Sequence, residues 1–149
     1  MSRPITSLLR GHRALVYVAP DTTVLEAVRT MARENVSSLL VLDDDRLAGI
    51  FTERDAMRRV LCEQLSPAET PIRDVMTPDP TVVGAKETIA DVVALMDEQK
   101  IRHMPVVDGE RLLGIISLRD VLRQASSNQA AEIDQLKAYV YSGHAGYPG

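Results

Sequence analysis

Apolar residues along this chain follow two rhythms, one helical and one of compact strand-length runs, and each occurs twice. Val24, Ala27, Val28 and Met31 recur at the i, i+3, i+4, i+7 spacing of a helix face, and Ile89, Val92, Val93 and Met96 repeat it. A capping-box pattern precedes each helix, Thr23-x-x-Glu26 and Thr88-x-x-Asp91. Its hydroxyl and carboxylate tie down backbone N–H groups that the first helical turn leaves open. Apolar runs at 39–42 and 104–107 then lead through polar turns into further apolar runs at 47–51 and 112–116, which predicts two hairpins. Closing helices are expected at about 53–65 and 118–124.

The pattern is doubled because the sequence is. Sliding the chain by 65 positions (81 − 16) lays residues 16–60 over 81–125 without a gap. Thirteen of those 45 positions are identical, and most mismatches swap like for like, as in Val24/Ile89 and Thr52/Ser117. Upstream, Pro4-Ile5-x-x-Leu8-Leu9 matches Pro71-Ile72-x-x-Val75-Met76, so a short apolar helix is expected before the first strand of each copy. The reading divides the chain into a first repeat at 5–65, a linker at 66–71 and a second repeat at 72–125. An amphipathic helix at 129–142, carrying Ile133, Leu136 and Val140, and a frayed tail at 143–149 follow. Two copies of this length are too few and too long for a solenoid. They predict two similar halves related by a pseudo-two-fold axis, whose seam is a natural place for paired ligand sites.

Composition narrows the function classes. Aromatics make up 3% of the 149 residues and Trp is absent, so the core must be Val, Leu, Ile, Met and Ala. That scarcity, with a net charge of −4, argues against nucleic-acid binding, which uses stacking platforms and basic surfaces. No apolar run approaches a membrane span, and the first ten residues lack a signal-peptide pattern, so a cytoplasmic protein is expected. The single cysteine, Cys62, is expected as a packed thiol within a helix.

The sharpest match between copies is Gly49-Ile50-Phe51-Thr52-Glu53-Arg54-Asp55 against Gly114-Ile115-Ile116-Ser117-Leu118-Arg119-Asp120. Two readings stand side by side. Ser/Thr-x-x-Asp at the start of a helix is a capping-box variant and needs no ligand. The same geometry offers N–H donors and a partial positive charge to a phosphate, and a carboxylate to the diol of a ribose. Gly49 and Gly114 would then let a ligand approach the backbone. Other constellations are weak. Asp43-Asp44-Asp45 reads as a hairpin turn, and His12, His103 and His144 lack ligand-type spacing, so no metal site is expected. No nucleophile elbow or phosphate loop occurs, and catalytic residues are not expected.

The duplicated block, the two Gly-x-x-Ser/Thr-x-x-Asp exits and the stretch Ile101-Arg102-His103-Met104-Pro105-Val106-Val107 resemble a tandem pair of CBS domains, a Bateman module. The resemblance covers about residues 5–124. It implies an α/β (α+β) fold of two β-α-β-β-α units with clefts between them. It also implies adenosine-containing ligands: AMP, ADP, ATP or NAD(H), with S-adenosylmethionine less favoured. Asp55 and Asp120 match the family's ribose-binding aspartate, and Thr52 and Ser117 its hydroxyl near ribose and phosphate. Met104, Pro105 and Val106 match the strand that reads the adenine edge. Arg102 and His103, helped by Lys100, stand where the family places basic residues facing phosphate, and Arg54 and Arg119 are further candidates. The first copy has Ser37, Ser38 and Leu40 in place of Arg102, His103 and Pro105, so the site built on Ser117 and Asp120 is expected to be the tighter one. The implied function is a regulatory sensor acting on an effector protein, with a homodimer as the working unit. The competing readings are a structural dimerisation module with degenerate clefts and a nucleotide hydrolase.

Overall fold

The threonines at 23 and 88 start helices as their spacing predicts. The computed structural model describes residues 3–9, 15–126, 137, 138 and 140. Thr23 accepts from the Glu26 N–H and begins α1 (Val24–Glu34), while Thr88 and Asp91 form the full reciprocal box of α3 (Ile89–Gln99). Both helices end on a left-handed residue, Asn35 (φ 56°) and Lys100 (φ 59°). Its N–H closes onto carbonyls of the last turn.

Each copy then makes an antiparallel hairpin. In the first, β2 (Ser38–Asp43) pairs with β3 (Arg46–Thr52) through a turn with Asp44 at φ 56°. In the second, β6 (His103–Asp108) pairs with β7 (Arg111–Ser117), and Gly109 takes that position at φ 65°. Two-residue strands run parallel to each hairpin, β1 (Tyr17–Val18) against β2 and β5 (Val83–Gly84) against β6. The first sheet gains a fourth strand, β4 (Thr77–Pro78), antiparallel to β3. The fold class is therefore the mixed α/β type that the sequence implies.

Proline changes one detail of the second sheet. In the first, Tyr17 pairs with Leu40, whose N–H donates to the Val16 carbonyl at 3.1 Å. The equivalent of Leu40 is Pro105, which has no N–H to give. Pairing with β5 starts one residue later, at Val106, and residues 103–105 have register partners on the β7 side only.

The short lead-in helices form as expected, but each belongs to the other copy. The chain divides into two compact units, one holding residues 13–81 and the other residues 1–12 with 82–149. The 3-10 turn Ile5–Leu9 buries Ile5 and Leu8 in the core of the second repeat, among Val92, Met104 and Ile116. There the Ile5 N–H donates to Glu87 and the Ile89 N–H to Arg3. The turn Ile72–Asp74 buries Ile72 and Val75 in the core of the first, beside Val24, Leu39 and Phe51. Here the Ile72 N–H donates to Thr22 and the Val24 N–H to Thr70, and Arg73 pairs with Asp21.

The closing helices differ. In the second unit α4 runs from Leu118 to Ser126. In the first, α2 (Glu53–Asp55) continues as π-helical turns over Ala56–Leu61. The wider turn seats Val60 in the core and leaves Met57 and Leu61 outward. Cys62 caps this segment and is exposed, against the packed thiol expected, because the helix it was placed in has already ended. The C-terminal helix expected over 129–142 and the tail at 143–149 lie outside the described residues, apart from Lys137, Ala138 and Val140, which are helical.

The exchanged lead-ins also fix the two motif glycines. A Cβ on Gly49 would lie 2.5 Å from the Met76 Sδ and 2.7 Å from the Thr77 carbonyl oxygen, whereas one on Gly114 would meet Leu9 Cδ2 at 3.0 Å. Gly49→Ala must therefore displace backbone, and we expect it to cost about 1–3 kcal/mol. Gly114→Ala meets only a side-chain tip and should cost less. Urea unfolding of the two variants checks this order; equal losses would refute it.

Candidate functional site

Both Ser/Thr-x-x-Asp motifs fold as reciprocal caps at a strand exit. Thr52 ends β3; its N–H donates to Asp55 Oδ2 at 3.0 Å, and its hydroxyl accepts from the Asp55 N–H at 3.2 Å. Ser117 ends β7 and repeats the exchange with Asp120 at 2.9 and 3.1 Å. The hairpin register sets Ser38 opposite Thr52 and His103 opposite Ser117. A backbone bond then ties each motif to the strand before it, from the Glu53 N–H to Ser37 and from the Leu118 N–H to Arg102. The local frame is thus the same in both copies, and the differences lie in the side chains around it.

Around Asp55 the protein supplies its own partners. Arg59, one helical turn on, brings its Nε to 3.6 Å from Oδ1, and the Thr77 hydroxyl lies 3.5 Å from the same oxygen. Arg59 also donates to the Met76 carbonyl at 2.8 Å, so the lead-in segment is clasped from two sides. Asp55 is 9% exposed. Burial pushes its carboxyl above the ordinary value of 3.8, against the opposing pull of the Thr52 bonds, the Arg59 charge and the Thr77 hydroxyl.

Asp120 has different company. The position of Arg59 is held by Gln124, and Asp120 is only half-buried. His103 stands close enough to feel its charge. Burial lowers the His103 pKa below the ordinary 6.5, the Asp120 carboxylate pulls the other way, and the Arg102 charge adds to the lowering. An imidazole whose pKa burial lowers, a carboxylate and an exposed guanidinium therefore gather at the exit of β7. Met104, Pro105 and Val106 are buried on the adjoining strand. Arg119 is exposed on α4, while Arg54 is half-buried on α2. Lys100 turns to Asp97, 3.9 Å away, at the C-terminus of α3.

Two features of the site were not legible in advance. Gly49 and Gly114 were expected to admit a ligand; instead Met76, Thr77 and Leu9 of the exchanged lead-ins occupy that space. Arg59 and Thr77 were missed as partners of Asp55. The replacement of Arg59 by Gln124 at the equivalent position was the available signal, since i, i+4 is the spacing of a helical ion pair. A shallow groove of about 400 Å³ along α3, walled by Glu87, Asp91 and Glu98, holds none of the motif residues and would repel a phosphate. Among the described residues no cluster of three metal-type ligands occurs, and no helix is long and apolar enough to cross a membrane.

The raised pKa of Asp55 has a measurable consequence. The folded state holds this proton more tightly than the unfolded chain, so charging Asp55 costs stability as pH rises from 3.8 through its folded value. Asp55→Asn keeps an acceptor for the Thr52 N–H and has no such charge. Its stability relative to wild type should therefore rise between about pH 4 and pH 7 in urea unfolding. A relative stability that falls with pH would refute the assignment.

The CBS domain model matches residues 1–62 and 72–127. A mitochondrial CBS domain-containing protein of Arabidopsis thaliana is 31% identical over 134 residues, covering 87% of this chain and 65% of its own length. An inosine-5'-monophosphate dehydrogenase of Methanocaldococcus jannaschii is 40% identical over 121 residues, or 78% of this chain but only 23% of that enzyme. The chain thus spans under two thirds of these relatives. Among solved structures, a CBS-domain protein from Burkholderia ambifaria superposes with a TM-score of 0.81 at 32% identity, covering 85% of this chain and 96% of that one. Another from Pyrobaculum aerophilum, complexed with AMP, has a TM-score of 0.74 at 22% identity, covering 91% and 98%, a likeness of fold. Two family-model matches over the two repeats, and relatives of this similarity, show that the chain belongs to the CBS domain family.

Proposed function

We propose that the chain is a regulatory module that binds an adenosine nucleotide at the exit of β7 and acts on a partner protein without catalysing a reaction. One observation carries the choice of site. Asp55 is held by Arg59 and Thr77 of its own unit, whereas Asp120 is half-buried beside His103 and Arg102. In this reading the half-buried Asp120 carboxylate, which caps its helix through Oδ2, also accepts a ribose hydroxyl. Ser117 and the start of α4 suit the phosphate side, with Arg102, His103 and Arg119 as the cationic or donating groups. The stretch 103–105, with register partners on one side only, suits the adenine edge. The AMP complex of the Pyrobaculum aerophilum protein supports AMP as the first ligand to test, ahead of ADP, ATP, NAD(H) and S-adenosylmethionine.

Titration calorimetry with AMP decides the matter. We expect about one molecule bound per chain, loss of binding in Asp120→Ala, and retained binding in Asp55→Asn. At about 100 times its Kd, AMP should add about 2.7 kcal/mol to stability. Binding that survives Asp120→Ala would move the ligand elsewhere, and steady hydrolysis of added ATP would make the protein an enzyme.

We also propose that the working unit is a homodimer. Met57 and Leu61 are exposed on the closing helix of the first unit, with Leu61 at 66% exposure, and with exposed Leu65 beyond its end they offer an apolar surface to a second copy. Light scattering should report a dimer that Leu61→Asp weakens; a wild-type monomer at tens of micromolar would refute it.

A further inference from the structure

The groove along α3 joins an apolar floor to charge of one sign. Glu87, Asp91 and Glu98 wall it, and among the described residues no basic one lines it. Val82, 40% exposed, and half-buried Leu95 form part of the floor. Gly84 lines it too, and a Cβ there would meet no atom within 4 Å, so packing does not demand this glycine as it does Gly49. The equivalent face of the first repeat has the opposite charge. Both helices keep an acid in the first turn, Glu26 and Asp91, where the helix dipole favours one. Beyond it the copies part: Thr22 stands for Glu87, Arg29 for Ala94 and Arg33 for Glu98. Arg29 and Arg33 are exposed one helical turn apart, beside Val28 at 38% exposure. Arg33 donates to the Thr30 hydroxyl at 3.3 Å, a neutral partner.

We infer that this groove receives the Arg29 and Arg33 face of α1 from a second copy of the chain, so that the homodimer sets first repeat against second. The inference rests on the homodimer proposed above and names its pairing. Charge decides between the possible pairings. Setting α3 against α3 brings three acids to three acids, and setting α1 against α1 opposes arginines, and each weakens association. Setting α1 against α3 opposes arginines to carboxylates, which favours this pairing and disfavours the others at once. Arg29 and Arg33 share one side of α1, and Asp91 and Glu98, two turns apart, share one side of α3. Helices laid side by side can therefore give each arginine an acid. Val28 then has Val82 and Leu95 as apolar partners. The contact is heterologous, and it closes into a pair when each copy gives α1 and receives at α3. Exposed Met57 and Leu61 add apolar area, while the charges fix which repeats meet.

Sedimentation of the full chain in four forms tests the pairing. Beside wild type, one variant carries Arg29→Glu and Arg33→Glu, one carries Glu87→Lys and Glu98→Lys, and one carries all four changes. The four side chains are exposed and the Asp91 cap is untouched, so both cores stay as they are. Each double variant should dimerise about tenfold more weakly than wild type at low salt. The fourfold variant should recover wild-type affinity, because it exchanges the two charge patterns and keeps them complementary. A dimer built by α1 on α1 and α3 on α3 predicts no recovery, since acids would then meet acids on α1. Added salt should weaken wild type and the fourfold variant alike. A double variant that dimerises like wild type overturns the pairing, and the homodimer then stands or falls with Leu61→Asp alone. A fourfold variant as weak as the doubles also overturns it, leaving the groove to another basic partner or a cation. A wild-type monomer at tens of micromolar refutes the homodimer and the pairing together.

Discussion

The structure depends on a backbone exchange. The Ile72 N–H donates to Thr22 and the Val24 N–H to Thr70, so the lead-in of the second repeat is bonded to the cap of α1 in the first. The N-terminal segment does the same for α3 through Ile5, Glu87, Arg3 and Ile89. At each site a helix start, with its open N–H groups, receives backbone partners from a remote part of the chain. Ile5 and Ile72 are fully buried as a result. Neither repeat is complete as a contiguous stretch of sequence, because its core lacks the apolar side chains that the other lead-in brings.

This exchange accounts for the motif glycines. Gly49 faces β4, and the Thr77 carbonyl and Met76 sulfur occupy the space a side chain would need. Gly114 makes the looser version of the same fit with Leu9. The residues closest to a sequence signature of ligand binding are thus held there by packing. Burial of Asp55 follows from the same cause: with Thr77 beside it and Arg59 reaching over to Met76, its carboxylate serves the join between lead-in and helix.

The helices and hairpins were legible because local rules decide them. Thr88 and Asp91 are three residues apart, and Asp44 and Gly109 stand where the hairpin turn requires a positive φ. The exchange was not legible, because similarity between copies says which residues are equivalent and never which ones touch. The chemistry was half legible. The pairing of Ser117 with Asp120 followed from spacing, but whether such a carboxylate is buried or accessible depends on neighbours many positions away, Thr77 in one copy and His103 in the other. Only Arg59 against Gln124 carried that difference locally.

Duplication gave both motifs the same frame, and a few substitutions then separated their roles. A carboxylate that caps its helix, pairs with an arginine and sits under a threonine gains little from a ribose, since each ligand bond would replace one already made. A carboxylate beside an imidazole whose pKa burial lowers is a different receptor. On the proposed reading, a phosphate bound there would add negative charge close to His103 and favour its protonated form, the same direction in which Asp120 already pulls. On the proposed reading, the second motif sets an imidazole beside its carboxylate where the first has Arg59 and Thr77. The proposed sensing would draw on that asymmetry, because a ligand shifts a conformational equilibrium only by the difference in its affinity for the two states.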